Sequence, residues 1–162
     1  MIFEVEDVKA VIESADGPMR FNVNFSGAHA QGFFELKTRV QDKWLFSGPG
    51  IRSDVAGWIM PFDCSLMAIS AWTWEPVEKD CEYHLYSRDR KNPLDWKRLE
   101  YEMRQVNGIR QFIRTDVADV SFEAGMELCC FFDGDAFNPK LSLTLQTVGE
   151  TNCTDIKIET TK

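Results

Sequence analysis

Apolar and polar residues alternate with a period of two along much of this chain. Met19, Phe21, Val23 and Phe25 share one face of a segment whose other face carries Arg20, Asn22 and Asn24. Leu141-Ser-Leu-Thr-Leu145 repeats the pattern without an error. Successive side chains of a strand point to opposite faces, so both segments are expected as half-buried β-strands. Further strands are expected over Phe33 to Val40 (Phe34, Leu36, Thr38 and Val40 on one face), over Cys81 to Tyr86, and from Val120 through a Gly125 turn to Phe132. Ile156 and Ile158 suggest a short last strand. Turn residues punctuate these runs at Asp16-Gly17-Pro18, Ser26-Gly27 and Ser47-Gly48-Pro49-Gly50, and Asp133 to Pro139 reads as a loop.

Two segments carry mixed signals. Phe3, Val5, Val8, Val11 and Ile12 roughly fit helical spacing, yet residues 2–14 are rich in β-branched side chains. Asn92-Pro93 with Asp95 resembles a helix start, whereas Leu99, Tyr101 and Met103 alternate with Glu100, Glu102 and Arg104. Asn107-Gly108 is a hairpin dipeptide. The pattern therefore favours a strand, hairpin and strand over 97–106 and 109–115, with a helix over 93–105 as the alternative.

Trp58 to Trp74 is the most apolar stretch. It reads as a short strand, a turn at Pro61 and Asp63, and a longer strand. Met67, Ile69 and Ala71 would occupy one face of that strand, and Leu66, Ala68, Ser70, Trp72 and Trp74 the other. A half-solvated strand should be polar on one side. This one is largely apolar on both, so both faces are expected to be covered: one by the core, with Met67, Ile69 and Ala71, the other by a partner. Many short strands separated by turns indicate an all-β antiparallel sandwich. The Gly-Pro-Gly punctuation suggests a β-rich N-terminal section over residues 1–50 and the main sandwich over 51–162.

Composition removes several functions. The chain has 162 residues, 44% hydrophobic and 12% aromatic, enough to fill one core and too apolar for a disordered protein. Its net charge of −8 opposes binding to a phosphate backbone, so no nucleic-acid partner is expected. The basic run Arg88, Arg90, Lys91, Lys97 and Arg98 is interrupted by Asp89 and Asp95 and reads as a solvated loop. No apolar run approaches the length of a membrane span, and Met1 to Asp7 lacks the features of a signal peptide, so no membrane is expected as a partner. Cys64, Cys81, Cys129, Cys130 and Cys153 are odd in number and contain no CxxC, which suggests free thiols in a reducing cytoplasm. Cys129 and Cys130 would point to opposite faces of a strand.

Catalytic arrangements are scarce. The chain has two histidines, His29 and His84, and neither has zinc-ligand spacing to a cysteine pair, so no metal or other cofactor is expected. His84 shares a strand face with Glu82 and Tyr86 and reads as a packed or surface residue. Ser26 lies near His29 without a nucleophile elbow. Asp133, Asp135 and Asn138 are faintly like a calcium loop but lack its later bidentate glutamate. No catalytic residue is assigned. Trp72 and Trp74 stand out as a pair near the end of a strand, with Leu66 on the same expected face. They are candidates for a subunit interface or a sugar-stacking surface. Trp44, Trp58 and Trp96 read as core or interface residues. Phe112, Phe122, Phe131, Phe132 and Phe137 read as core.

Two motifs carry a family resemblance. Ile59-Met-Pro-Phe-Asp-Cys-Ser-Leu-Met-Ala-Ile-Ser-Ala71 resembles the strand, turn and apolar strand that open jelly-roll domains of tailed-bacteriophage structural proteins. Val120-Ser-Phe-Glu-Ala-Gly-Met-Glu-Leu128 resembles a later turn of the same domains. The match spans about residues 56–148. Cys64 stands where a turn glycine is common, and Met126 where aspartate is common. The resemblance implies a jelly-roll sandwich, a homotrimer, other virion proteins of capsid or tail as partners, and a place in the virion after synthesis in the host cytoplasm. It implies a non-enzymatic role, as capsid decoration, head fibre or tail appendage, with residues 1–50 as an anchor. The alternative is a carbohydrate-binding module, cellular or viral, using exposed tryptophans on a glycan such as one at a host surface. A hydrolase with paired carboxylates is a third class, and nothing in the sequence singles out a pair.

Overall fold

The computed structural model describes residues 20–27, 39–47, 51–52, 57–89, 91–92, 94–117 and 119–148. The expectations for residues 2–14, most of 33–40, and Ile156 and Ile158 lie outside the described residues. Among the described residues there is no helix. In chain order the strands are β1 (Arg20–Ser26), β2 (Arg39–Trp44), β3 (Phe46–Ser47), β4 (Ile51–Arg52), β5 (Trp58–Ile59), β6 (Cys64–Trp72), β7 (Cys81–Arg88), β8 (Lys97–Arg98), β9 (Arg104–Gln105), β10 (Gln111–Arg114), β11 (Ser121–Phe122), β12 (Glu127–Phe137) and β13 (Lys140–Thr147).

The pairings nest. β1 pairs β13, β2 pairs β12, β6 pairs β10 and β11, and β7 pairs β8 and β9, all antiparallel. The chain thus doubles back on itself near residues 89–97, and the resulting ribbon winds round until β13 also meets β6 and β12 also meets β7. This gives one sheet ordered β10-β6-β13-β1-β3-β4 and a second ordered β2-β12-β7-β8. Nested pairs divided between two sheets are the jelly-roll form of the antiparallel sandwich. β1 and β2 precede residue 50, yet they pair with the last two strands of the sandwich. The division expected at residue 50 therefore runs through the sandwich's own pairing.

Burial follows the period-two pattern. Val23 and Phe25 on β1 and Leu141, Leu143 and Leu145 on β13 face Tyr83 and Leu85 on β7 and Leu128, Cys130 and Phe132 on β12 across one continuous core. Each fully buried side chain of this size contributes roughly 1.5–3 kcal/mol.

Four expectations need correction, each for a local reason. On β6 the alternation changes phase. Thr144 pairs with Ala68 and Leu145 with Leu66, so Met67 is the extra residue of a β-bulge. Leu66 is consequently buried in the core, and Met67 is turned out with 39% exposure. Leu66 is removed from the candidate interface, and Met67 from the expected core face. Secondly, Asn107-Gly108 does turn, with Gly108 at φ +80°, but the strands on either side join different sheets: β9 pairs β7 and β10 pairs β6. Asn107-Gly108 is a corner pinned by Val77, whose carbonyl accepts from Gly108 N–H and whose own N–H donates to Ile109. Thirdly, Asp133 to Phe137 is strand. Gly134 at φ +154° forms a bulge, after which Asp135, Ala136 and Phe137 resume pairing with Gln41, Val40 and Arg39. Fourthly, Phe131 and Phe137 lie outside the core cluster: Phe131 meets the Trp44 ring at 5.2 Å, and Phe137 lies beneath the Arg39 guanidinium.

No helix forms over 94–105 because the backbone there is committed elsewhere. Leu99 N–H donates to the Leu85 carbonyl, and the Met103 carbonyl accepts from Tyr83 N–H.

Candidate functional site

The face of β6 that turns away from the core builds the one surface that sequence and structure both single out. Register aligns two rows across the sheet. Gln111, Trp72, Lys140 and Ser26 form the first, and Ile113, Ser70, Ser142 and Asn24 the second. Trp74 follows the end of β6, held by its N–H on the Phe137 carbonyl at 2.9 Å. Together these elements line a groove of about 560 Å³. Ile113 is 68% exposed at its rim. Farther along, the same face is polar: Ser142 donates to Asn24, and Thr144 to Asn22. Trp72, Trp74 and Ile113 form the apolar end of this surface, and Met67 is a further exposed apolar side chain on β6.

The ring geometry bears on both readings of the tryptophans. The Trp72 and Trp74 centroids lie 5.8 Å apart with planes at 88°, an edge-to-face pair. The Arg110 guanidinium sits over Trp72 at 4.8 Å. A sugar chain stacks on open, similarly oriented ring faces. Here one face of Trp72 is occupied by a cation and the second ring stands perpendicular, so the two do not make a flat platform. Both rings remain half-buried in a single chain, leaving apolar area for a shaped partner.

Behind the tryptophans lies a polar knot with no sequence signature. Gln105 and Thr73 are fully buried. Gln105 Oε1 accepts from the Tyr83 hydroxyl at 3.0 Å, and its amide nitrogen donates to Thr73 Oγ1 at 2.8 Å and to the Ile109 carbonyl at 3.0 Å. Thr73 donates in turn to the Glu75 carbonyl, and the Thr73 carbonyl accepts from Arg110 Nε. The knot ties β7, the Asn107-Gly108 corner and the end of β6 together, and so fixes where Trp72, Trp74 and Arg110 stand. Its long-range bonds join residues 22 to 37 positions apart in the chain.

The remaining candidates separate. Asp133, Asp135 and Asn138 do not converge as a calcium loop would: Asp133 bonds His84, Asp135 is held bidentately by Arg39, and Asn138 is met by Ser26. Cys64, Cys81, Cys129 and Cys130 are buried free thiols. Burial pushes Cys64 up to about 11 and Cys81 and Cys129 up to about 12, and raises Cys130 as well. They stay protonated at neutral pH and are poor nucleophiles. Cys130 belongs to the core cluster and Cys129 does not, as opposite strand faces require. His29 and Cys153 lie outside the described residues. Trp58 packs partly buried against the core beside Phe21, and Trp96 lies under Arg88.

The stretches Ile59 to Ala71 and Val120 to Leu128 meet in space. Ser65 pairs with Ser121 and Cys64 with Phe122. Met60 N–H donates to the Met126 carbonyl at 2.8 Å, and the Met60 carbonyl accepts from Gly125 N–H at 2.8 Å. Asp63 Oδ1 accepts from Ala124 N–H at 2.8 Å. The two motifs are halves of one interlocked corner. No helix among the described residues is long and apolar enough to cross a membrane. No family model, curated protein or solved structure matches this chain.

Proposed function

We propose that this protein is a non-enzymatic structural component of a bacteriophage virion, of the capsid-decoration, head-fibre or tail-appendage kind, that assembles as a homotrimer. The observation that carries the reading is the corner just described: the two phage-like motifs bond to each other through Met60, Asp63, Gly125 and Met126.

Assembly uses the outer face of β6 and β10. Trp72, Trp74 and Ile113 bury against neighbouring subunits, and apolar area removed from water contributes roughly 25 cal/mol per Å² before ordering costs. The glycan-binding alternative has the groove and its hydroxyl and amide groups in its favour, and the perpendicular, Arg110-capped tryptophans against it.

Mass spectrometry of particles purified from the phage that encodes this chain tests the reading. The expected result is a stoichiometric virion protein, cross-linked to itself and to capsid or tail proteins. Its presence in the infected-cell lysate but not in the particles would overturn the proposal.

A further inference from the structure

On the opposite sheet, the strand faces that look away from the core bring together a donor set that the assembly role does not use. β7 presents Glu82 and His84 two residues apart, and β12 presents Asp133 directly opposite Glu82. His84 Nε2 lies 3.2 Å from Asp133 Oδ2 and 3.7 Å from Glu82 Oε2. One ligand atom from each residue falls within 4.8 Å of the other two. The His84 side chain is only 10% exposed, whereas Glu82 and Asp133 are 34% and 56% exposed. The imidazole is thus fixed from below, and the carboxylates reach over it from the solvent side.

We infer that Glu82, His84 and Asp133 form a binding site for a divalent transition-metal ion of the zinc class. Three arguments support this. The donors are one imidazole nitrogen and two carboxylate oxygens, a set that suits such ions. A tetrahedral ion with ligands at about 2.0–2.1 Å has ligand-to-ligand edges of about 3.3 Å. The two nitrogen-to-oxygen separations bracket that edge, and the third edge, between the two partly exposed carboxylates, lies within 4.8 Å and closes by their movement. Finally, a single Nε2 faces two carboxylates and has at most one proton to share between them. A cation satisfies both at once. The remaining corner is left to water, which makes the site open.

One neighbouring charge opposes binding. Arg104 donates to Glu82 Oε1 at 3.1 Å, leaving Oε2 for the ion but lowering the local affinity for a cation. This supplies a variant with the opposite sign. Removing Arg104 should strengthen the site, and removing a ligand should weaken it.

Isothermal titration with Zn²⁺ at neutral pH, with Co²⁺ absorption as a spectroscopic second readout, tests the inference. One ion per chain is expected to bind. Glu82→Gln and Asp133→Asn, both on partly exposed side chains, should each weaken it at least tenfold. Arg104→Gln should tighten it severalfold, and Cys153→Ser should leave it unchanged. His84→Ala should abolish it, with circular dichroism confirming that the variant is folded. The inference is overturned if Zn²⁺ does not bind at millimolar concentration. It is equally overturned if the carboxylate variants bind as the wild type does, or if binding disappears in Cys153→Ser. None of these outcomes depends on whether the chain belongs to a virion.

Discussion

Replacing Gln105 with alanine is expected to destabilise the fold by about 3 kcal/mol, read as a drop in the urea midpoint at unchanged slope. The Gln105 amide is fully buried and uses its oxygen and both donors: Tyr83 on one side, Thr73 and the Ile109 carbonyl on the other. Truncation removes three bonds and leaves the Tyr83 hydroxyl, itself fully buried, without its acceptor. An unmade buried bond costs roughly 1–3 kcal/mol, more than the net gain from making one. Thr73 keeps its bond to the Glu75 carbonyl, which limits the damage. Tyr83→Phe should cost less, about 1–2 kcal/mol, because it strands only the amide oxygen. The double variant should cost clearly less than the sum, since the second change removes a partner already lost. Strict additivity would show that the knot does not act as a unit.

Gly134→Ala is expected to be comparably damaging, at about 3 kcal/mol, for a steric reason. A Cβ at this position would lie 2.4 Å from Cys81 Cβ, inside any allowed contact, and 3.3 Å from the Phe132 ring. The residue also sits at φ +154°, which a residue with a side chain rarely adopts. Because Cys81 is 1% exposed and belongs to a central strand, the clash cannot be relieved by turning a side chain into solvent. Gly134→Val should prevent folding altogether. Thermal unfolding of Gly134→Ala checks the claim, and a melting temperature within about 2 °C of the wild type would refute it.

The architecture was legible where one physical signal acted alone. On β1 and β13 the alternation depends only on which face meets the core, and the strands lie where the pattern places them. Met67 was misplaced because it is the bulged residue, and Leu66 because the bulge puts it out of phase with Ile69 and Ala71 beyond it; a bulge is set by the partner strand, not by the apolar pattern. Asn107-Gly108 was correctly a turn. Whether the strands beside a turn pair with each other depends on Val77 and Gln105, which lie elsewhere in the chain. Trp72 and Trp74 were legible as a pair because they share a strand end. Their perpendicular packing and the Arg110 cap were not, since both are set by the buried knot behind them. Glu82 and His84 were visible as neighbours on a strand face. Asp133 joins them only through the β7–β12 register, 49 residues away from His84.

Sedimentation equilibrium of the purified chain at micromolar concentration, beside an Ile113→Asp, Trp74→Ala variant, tests the central claim most directly. That claim is that the Trp72/Trp74 face is a subunit interface. The account predicts a species of three chains for the wild type and a folded monomer for the variant. A wild-type protein that sediments as a stable monomer, or a variant that remains trimeric, would contradict it.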